Sequence, residues 1–406
     1  MKKTLFTICA WMLVSVCYAA DVVVSVTNKE DVQRQELVEI DATQIYKRLD
    51  IKQGKNFIVR NALNQEVSYQ ETYDGKILLD VAVRPQGTAV FTFSKGTPRP
   101  MQDFVKGRHY PERVDDIAWE NDRGAYRLYG PALQASGEQA FGNDVWAKNT
   151  PDLEVEKRYR TELDNHPMIQ QLLKEGKKEE AAAMEEATTY HFDHGYGLDC
   201  YKVGPSLGCG TPAILLAGEI KYPYCYKTYK ILDNGPLRFT VELTYNKENI
   251  GTERDIVEHR ILSCDKGSNY NKVTVWYDGF KHPFEVCAGI VVHNEDTKSL
   301  ECGDGFILYA DPTDNPTKQN FQIYTGVIFP MDGVKTEFTT LGHNANTAKG
   351  IAGHLIGHKM MQPQERFTYY FGSAWSKYDV RNFHEWRLRT HTTIDAIKTP
   401  LQVCIK

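Results

Sequence analysis

The chain lacks the short motifs of several common enzyme classes. Its sequence contains no GxSxG elbow, no Walker loop, no dinucleotide-binding glycine fingerprint and no HExxH helix. These absences argue against α/β-hydrolases, P-loop nucleotidases, Rossmann-type oxidoreductases and zincin proteases. The sequence also has no basic run, and its formal net charge is −5. Nothing in it therefore favours binding to nucleic acid.

Long apolar runs are absent after the first twenty residues. Residues 1–20, MKKTLFTICAWMLVSVCYAA, combine two lysines, an apolar run and a small-residue end. This is the pattern of a secretory signal peptide, and the run is shorter than the ~20 apolar residues that a membrane span requires. We therefore expect a periplasmic or secreted protein with no membrane span. A lipoprotein attached through Cys17 is the less favoured alternative, because Val16 is larger than the residue that lipoprotein processing prefers.

Cysteine spacing indicates no disulfide framework. Two of the nine cysteines, Cys9 and Cys17, lie in the predicted signal peptide, and no CxxC pair occurs among the other seven. An odd number of cysteines cannot all pair within one chain, so at least one thiol stays free. Export permits disulfides, but the sequence leaves their connectivity open.

Strand patterns dominate the remaining sequence. Six segments are rich in β-branched and aromatic residues and are separated by Gly, Asn, Asp and Pro turns, as half-buried strands are. They are 76–83, 88–96, 236–246, 271–279, 320–330 and 366–375. This density of short strands predicts an all-β fold, a large antiparallel β-sandwich.

Two other segments interrupt the strand pattern. Residues 94–103 contain two prolines and are the best candidate boundary. They divide a small β-rich N-terminal unit, 21–97, from a main β-domain, 104–406. Residues 166–190 are helical by propensity and predict one helical insertion that starts near Pro167.

The stretch YHFDHGYGLDCYKVGPSLGCG, residues 190–210, concentrates titratable side chains. Histidine titrates near neutral pH, tyrosine can donate a proton, and an aspartate can orient an imidazole. Clustered titratable groups favour a catalytic loop, with the candidates Tyr190, His191, His194, Asp199 and Tyr201. A structural alternative is a crowded turn in which the tyrosines pack against the core.

Zinc is a weaker interpretation of the same stretch. His191, His194, Cys200 and Cys209 offer nitrogen and sulfur donors. Their spacing, H-x2-H-x5-C-x8-C, matches no strong zinc signature. Metal use is therefore left open: we predict no cofactor, and a divalent ion remains compatible with the residues.

Arginines, carboxylates and aromatic rings alternate in a second stretch, RHYPERVDDIAWENDRGAYRLYGPAL, residues 108–133. Arginine binds carboxylates bidentately, and aromatic rings suit the apolar faces of sugars. The candidates here are Trp119, Glu120, Asp122 and Arg123. An ion-paired strand is the structural alternative. Near the end of the chain, FGSAWSK adds the candidates Trp375 and Lys377.

Together these motifs resemble a known family. PERVDDIAWENDRGAYRLYGPAL, DVWAKNTP, YHFDHGYGLDCYKVGPSLGCGTPAI and FGSAWSK are similar to a family of exported proteins from glycan-degrading bacteria, catalogued as a domain of unknown function. The resemblance implies a galactose mutarotase-like β-supersandwich. It also implies an oligosaccharide partner, since one member of the family is an oligosaccharide dehydratase in ulvan breakdown.

A dehydratase acting on an acidic, uronate-containing oligosaccharide assigns roles to the candidates. His191 would be the base, Arg123 would neutralise the substrate carboxylate, and Tyr190 or Tyr201 would protonate the leaving hydroxyl. Glu120 or Asp199 would orient these groups. The side chains predicted to bind substrate are Trp119, Asp122, His194, Asp199, Trp375 and Lys377.

Two other functions fit the same sequence. A sugar mutarotase or epimerase would pair His194 as acid with Glu120 or Glu385 as base. A non-catalytic glycan-binding protein would use Trp119, Trp146 and Trp375 as platforms for sugar rings. Of the three functions we predict the dehydratase, a carbon–oxygen lyase, and keep the other two as alternatives.

Overall fold

The computed structural model describes residues 21–293, 296, 298–314, 317, 319–340 and 350–406. The predicted signal peptide, residues 1–20, lies outside the described residues. Strands hold 44% of the residues and helices 17%, which confirms the all-β prediction. Within the described ranges, no helix has both the length and the apolar character that a membrane crossing requires.

The N-terminal unit is a small two-sheet sandwich with its own core. Its elements are β1 (Val22–Thr27), β2 (Arg34–Asp41), α1 (Ala42–Leu49), β3 (Phe57–Asn61), β4 (Tyr69–Glu71), β5 (Lys76–Val83) and β6 (Thr88–Lys95). Strands β2, β5 and β4 form one sheet, and β1, β6 and β3 form the other. Buried side chains of both sheets and of α1 share one apolar cluster, which includes Val24, Ile45, Phe57 and Leu79.

The last strand of the chain returns to this unit. Strand β25 (Gln402–Ile405) pairs antiparallel with β1, with Ile405 opposite Val24. The predicted main domain, 104–406, is therefore wrong at its C-terminal end, because β25 belongs to the N-terminal unit. A pairing between the two ends of the chain leaves no local signal in the sequence.

A four-stranded sheet follows the boundary at residues 94–103. It consists of β7 (Lys106–Tyr110), β8 (Asp116–Glu120), β9 (Ala125–Leu128) and β10 (Asp144–Trp146), in the order β10-β9-β8-β7. A 3-10 turn, Pro111–Arg113, joins β7 to β8, and a short helix, α2 (Pro131–Ala135), precedes β10. Every residue of β8, β9 and β10 is buried, so both faces of these strands are covered.

The helical insertion consists of two helices, α3 (Val155–Lys174) and α4 (Lys178–Thr188). The insertion is confirmed, but its predicted start is wrong, because Pro167 lies inside α3. The helix begins earlier because Glu120 accepts hydrogen bonds from the backbone N–H groups of Glu154 (2.9 Å) and Val155 (2.7 Å). A carboxylate from β8 thus takes the place of a local cap.

The main body is a sandwich of two large antiparallel sheets. The nine-stranded sheet contains β13 (Tyr226–Asn234), β14 (Arg238–Tyr245), β15 (Glu248–Ile250), β16 (Glu253–Asp265), β17 (Tyr270–Asp278), β19 (Leu300–Gly303), β20 (Phe306–Asp311), β21 (Ile323–Ile328) and β24 (Phe367–Trp375). The five-stranded sheet contains β11 (Cys209–Leu216), β12 (Glu219–Lys221), β18 (Phe284–Val292), β22 (Lys335–Thr340) and β23 (Gly353–Met361). Their facing side chains form the largest apolar cluster.

The outer face of the nine-stranded sheet carries one helix, α5 (Phe383–Lys398). Trp386 of α5 is buried and stacks on Tyr270 of β17 with ring centroids 5.2 Å apart. The six predicted strands all occur, as β5, β6, β14, β17, β21 and β24. This fold brings the two candidate stretches, residues 108–133 and 190–210, into contact with each other.

Candidate functional site

A buried arginine, Arg127 of β9, organises the first part of the site. Its Nη2 atom donates to Oδ2 of Asp144 at 2.6 Å and to Oδ2 of Asp199 at 3.1 Å. The Asp116 carboxylate lies 3.9 Å from its Nη1 atom, and the Tyr190 hydroxyl accepts from the same atom at 3.5 Å. We call these five residues the Arg127 cluster. Three carboxylates around one guanidinium leave the cluster rich in acid groups.

Burial makes two of the three carboxyl groups in the cluster harder to ionise. Burial raises the pKa of Asp199 well above its ordinary value, and the charge of Asp144 raises it further. Burial likewise raises the pKa of Asp116 to about 6. Asp144 accepts additional hydrogen bonds from Trp146 Nε1 at 3.1 Å and from the Val145 N–H at 2.8 Å. The cluster therefore favours the protonated form of Asp199.

His191 lies at the exposed edge of the Arg127 cluster, with 57% of its side chain accessible. Its Nδ1 atom is 3.0 Å from the backbone oxygen of Asp199 and 3.8 Å from the Asp199 carboxylate. A carbonyl oxygen can only accept, so Nδ1 donates the hydrogen in this bond. In the neutral ring Nε2 then has a free lone pair, which is the form of histidine that acts as a base.

Tyr190 connects His191 to the arginines. Its buried ring lies 4.7 Å from the His191 ring and stacks on Trp146 at 4.6 Å. Its hydroxyl accepts hydrogen bonds from Arg127 and from Arg113. The structure therefore brings together the predicted residues Tyr190, His191 and Asp199.

Arg113 belongs to this site although the sequence analysis did not select it. Its Nη1 atom pairs with Glu162 of α3 at 3.2 Å, and 23% of its side chain is exposed. The next two residues, Val114 (φ 48°) and Asp115 (φ 66°), are in the left-handed region. That conformation is costly for a β-branched residue such as valine, and strained turns of this kind cluster at functional sites. The turn joins Arg113, which donates to Tyr190, to Asp116, which lies beside Arg127.

Arg123, the predicted carboxylate-binding arginine, has other partners. Its Nη1 atom donates to Asp379 at 2.7 Å, and its Nε atom lies 3.8 Å from Asp122. Asp122 in turn accepts from the Gly267 N–H at 2.6 Å. Two residues before Asp379, Lys377 donates to Asp193 of the histidine loop, residues 189–208, at 2.5 Å. One short segment therefore joins the two predicted stretches, while Arg113 and Arg127 are the arginines beside Tyr190.

The tryptophans predicted as sugar platforms are buried. Trp119 is 0%, Trp146 1% and Trp375 2% exposed. Trp119 stacks between Tyr126 and Phe239, and Trp375 Nε1 donates to the Asn320 carbonyl. A ring with no accessible face offers no surface to a sugar, so the prediction that Trp119, Trp146 and Trp375 bind substrate is wrong. The exposed ring beside His191 is Phe192, at 36%.

Glu120 also has a structural role. It is 3% exposed, caps α3 and accepts from the buried ammonium of Lys148 at 2.6 Å. His194 Nε2 lies 2.9 Å from the Thr189 carbonyl, and Glu385 caps α5 through the Arg381 N–H. The predicted pairing of His194 with Glu120 or Glu385 is therefore wrong, because both carboxylates bind backbone groups at helix starts. The prediction that Glu120 orients the catalytic groups is wrong for the same reason.

Tyr201 extends the site on the other side of Asp199. It is 5% exposed, and its hydroxyl has no hydrogen-bond partner among the described residues. Its ring lies 6.2 Å from that of His293, whose Nδ1 atom is 2.6 Å from Asp311. Burial raises the pKa of Tyr201 well above its ordinary value, and the Asp311 and Asp144 carboxylates raise it further. Tyr201 therefore keeps its proton.

The predicted zinc ligands do not gather. No three His, Cys, Asp or Glu side chains within the described ranges form a metal-binding group. Cys209 is buried, and burial raises the pKa of its thiol, which opposes the thiolate that zinc requires. All seven cysteines of the described residues are unpaired.

Comparisons with known proteins place the chain in a family. It is 24% identical over 430 residues to the uncharacterized protein P7 of Formosa agariphila, covering 99% of this chain and 98% of that protein. Two solved structures from Enterococcus faecalis, an α-mannosidase and a glycosyl hydrolase family 38 protein, share 8% and 9% identity with it, each at a TM-score of 0.45 and over 95% of this chain. The chain spans less than half of those structures, 46% and 47%. The family described as Domain of unknown function (DUF4861) matches residues 26–403, and the chain belongs to that family.

Proposed function

We propose that the protein is a carbohydrate-active lyase that removes water from an acidic, uronate-containing oligosaccharide. The observation that carries the proposal is the state of His191, whose Nδ1 atom is fixed as a donor to a backbone oxygen. In the neutral ring the Nε2 atom then has a free lone pair and can act as a base. A positioned base of this kind is what abstraction of a carbon-bound proton requires.

The elimination would proceed as follows. His191 Nε2 takes the proton from the carbon next to the substrate carboxylate, and the electrons of that C–H bond form a C=C bond. The bond between the neighbouring carbon and its hydroxyl oxygen breaks. The imidazolium returns the proton to this oxygen, which leaves as water. No oxidant or reductant is consumed.

The tyrosines have a supporting part in this proposal. Tyr190 and Tyr201 are 3% and 5% exposed, so neither hydroxyl can reach a sugar without movement of the loop. Tyr190 instead packs against the His191 ring and accepts hydrogen bonds from Arg113 and Arg127. His191 itself therefore supplies the acid as well as the base.

The substrate carboxylate needs a cation, because its charge opposes removal of the adjacent proton. Arg113 is the partly exposed guanidinium beside Tyr190, and its buried Nε atom has no hydrogen-bond partner among the described residues. Arginine matches a carboxylate bidentately. Phe192, next to His191 and exposed at its ring, offers an apolar surface to the sugar.

The test is the conversion of oligosaccharides that end in a uronate residue. We expect products lighter by the mass of one water and a new ultraviolet absorption from the C=C bond. His191→Ala should lower kcat by about 10²- to 10⁴-fold, the usual contribution of general acid–base catalysis. His282→Ala is the matched control, since His282 is exposed and pairs with a carboxylate, Glu253, at 2.7 Å outside the Arg127 cluster.

Three results would contradict the proposal. Equal turnover by the wild type and His191→Ala would exclude His191 as the base. Products of unchanged mass with altered chromatography would indicate epimerisation. Binding without any conversion across a panel of uronate oligosaccharides would indicate a glycan-binding protein.

A further inference from the structure

A buried aspartate orients a second histidine beside Tyr201. The Nδ1 atom of His293, just after β18, is 2.6 Å from Oδ2 of Asp311 at the end of β20. A carboxylate accepts hydrogens, so Nδ1 donates and Nε2 has the lone pair of the neutral ring. The side chain of Asp311 is 3% exposed and that of His293 is 13% exposed. The His293–Asp311 pair is therefore held by the protein while the imidazole keeps some access to solvent.

On the Tyr201 side, the pair is connected to His191. The ring of His293 lies 6.2 Å from the ring of Tyr201. Tyr201 follows Asp199 by two residues, which is about 7 Å of extended chain. The backbone oxygen of Asp199 is the acceptor of the hydrogen from His191 Nδ1. The two histidines therefore lie in the same region of the molecule, with Asp199 and Tyr201 between them.

A separate series of contacts connects the pair to the same loop. Asp311 Oδ1 accepts from the Thr313 N–H at 3.0 Å, and Thr313 Oγ1 donates to the Phe321 carbonyl at 2.7 Å. The Lys377 ammonium lies 5.4 Å from the centroid of the Phe321 ring and donates to Asp193. Both connections from the His293–Asp311 pair therefore end in the histidine loop.

This region combines strained backbone with unused hydrogen-bonding groups. Thr313 (φ 50°) and Phe321 (φ 53°) are in the left-handed region, which is costly for β-branched and bulky residues. The Tyr201 hydroxyl and the Asn320 Oδ1 atom are buried without a partner among the described residues. Strained residues cluster at binding and catalytic sites, and buried unsatisfied groups are rare elsewhere. A histidine–aspartate pair that only joined two strands would require neither feature.

Given the function proposed above, we infer that His293 also binds the substrate: its Nε2 atom accepts a hydrogen bond from a hydroxyl group of the uronate-containing oligosaccharide. The choice of substrate class rests on that proposed function. Asp311 fixes Nδ1 as the donor, so Nε2 of the neutral ring can only accept, and sugar hydroxyls can donate to it. Arg113 then selects the carboxylate of the substrate and His293 selects a hydroxyl. A site built to bind a hydroxyl discriminates strongly against an analogue that lacks it.

The test measures binding without turnover, in protein that carries His191→Ala. The probes are the methyl glycosides of D-glucuronate and D-galacturonate, titrated in ligand-observed saturation-transfer NMR. Adding His293→Ala should weaken binding about three- to tenfold, which corresponds to one hydrogen bond. Adding His293→Gln instead should retain part of the affinity, because the amide oxygen of glutamine can accept from the same hydroxyl.

His358→Ala is the matched control. The side chain of His358 is 15% exposed, and its Nδ1 atom lies 2.7 Å from Glu285, so this variant also loses a histidine–carboxylate pair. His358 pairs with Cys287 of β18, five residues before Val292 at the end of that strand. That separation is about 17 Å. Addition of His358→Ala should therefore leave the affinity of the His191→Ala protein unchanged.

The nitrogen resonances of the His293 ring give a direct readout. In protein labelled with ¹⁵N-histidine, the Nε2 signal that His293→Ala removes should shift when a probe binds. An Nε2 signal that does not move at saturation would overturn the proposal. So would equal affinity with and without His293→Ala, an equal loss in His358→Ala, or no binding of either probe. Because none of these measurements requires turnover, failure of the elimination and failure of this contact are separate results.

Discussion

Asp116 gives the most quantitative prediction, because its proton is coupled to folding. It lies on β8 at 2% exposure, with Oδ2 at 3.2 Å from the Tyr159 hydroxyl and Oδ1 without a partner among the described residues. Burial raises its pKa from 3.8 to about 6, although Arg127 and Arg113 act in the opposite direction. The folded protein therefore binds this proton more tightly than the unfolded chain.

The sign of the effect follows from this difference. Between the two pKa values the folded state holds more protons than the unfolded state, so the contribution of Asp116 to stability decreases as the pH rises from about 4 to about 6. One pKa unit corresponds to about 1.4 kcal/mol. The difference between 3.8 and about 6 therefore corresponds to about 3 kcal/mol, of which about 2 kcal/mol is lost between about pH 4.5 and about pH 7.5.

Asp116→Asn isolates this term, because an amide does not titrate. The free energy of unfolding would be measured by urea denaturation, followed by tryptophan fluorescence, for the wild type and the variant across this pH range. We expect the variant to gain about 2 kcal/mol relative to the wild type on going from about pH 4.5 to about pH 7.5. Any constant cost of the substitution cancels in this comparison. A difference between the two proteins that stays the same at every pH would refute the reasoning.

Two further predictions concern buried groups elsewhere. Lys148→Met removes the cation that pairs with Glu120 and leaves a buried charge unpaired. It should lower the free energy of unfolding, measured by urea denaturation, by about 3 to 5 kcal/mol. Adding Glu120→Gln should recover part of the loss, and a loss below about 1 kcal/mol would contradict the pairing. Cys302 and Cys404 are exposed and should react with a maleimide in the native protein, whereas the buried thiols of Cys209, Cys225, Cys264 and Cys287 should react only after unfolding. Mass spectrometry counts the labels, and rapid labelling of these four buried cysteines would contradict their placement.

Much of the fold could be predicted from the sequence because strand patterns are local. Segment 76–83 is rich in aliphatic residues and coincides with β5 (Lys76–Val83), and the turn residues around it mark its ends. Helix α5 also has a local signal that the sequence analysis missed. Asn382 accepts from the Glu385 N–H, and Glu385 accepts from the Arg381 N–H, which is close to a capping box. The strand and aromatic pattern just before it masked this signal.

The arginines of the site could not be selected from the sequence for a different reason. Arg123 and Arg127 both lie in a mixed run of charges and aromatic rings, but they end up with unrelated partners. Arg127 is buried among aspartates that come from β10 and from the histidine loop, 17 and 72 residues away. A pairing over such a separation depends on the packing of the sheets, so an ion-paired strand and a functional cluster have the same local sequence.

The histidine loop, residues 189–208, is fixed at many points, and this explains its composition. Gly197 has φ +102°, and a Cβ atom there would lie 2.0 Å from the Ala147 carbonyl oxygen. Arg158, 1% exposed, donates to the carbonyls of Ala147 and Tyr196. Lys377 holds Asp193 from the opposite side. Gly197 lets the loop approach the β10 segment closely, and Arg158 binds the Tyr196 carbonyl of the loop. The backbone of the loop is therefore held in place by the protein itself. A base on a fixed backbone needs little reorganisation to react, which favours catalysis at His191 over a loop that only fills a turn.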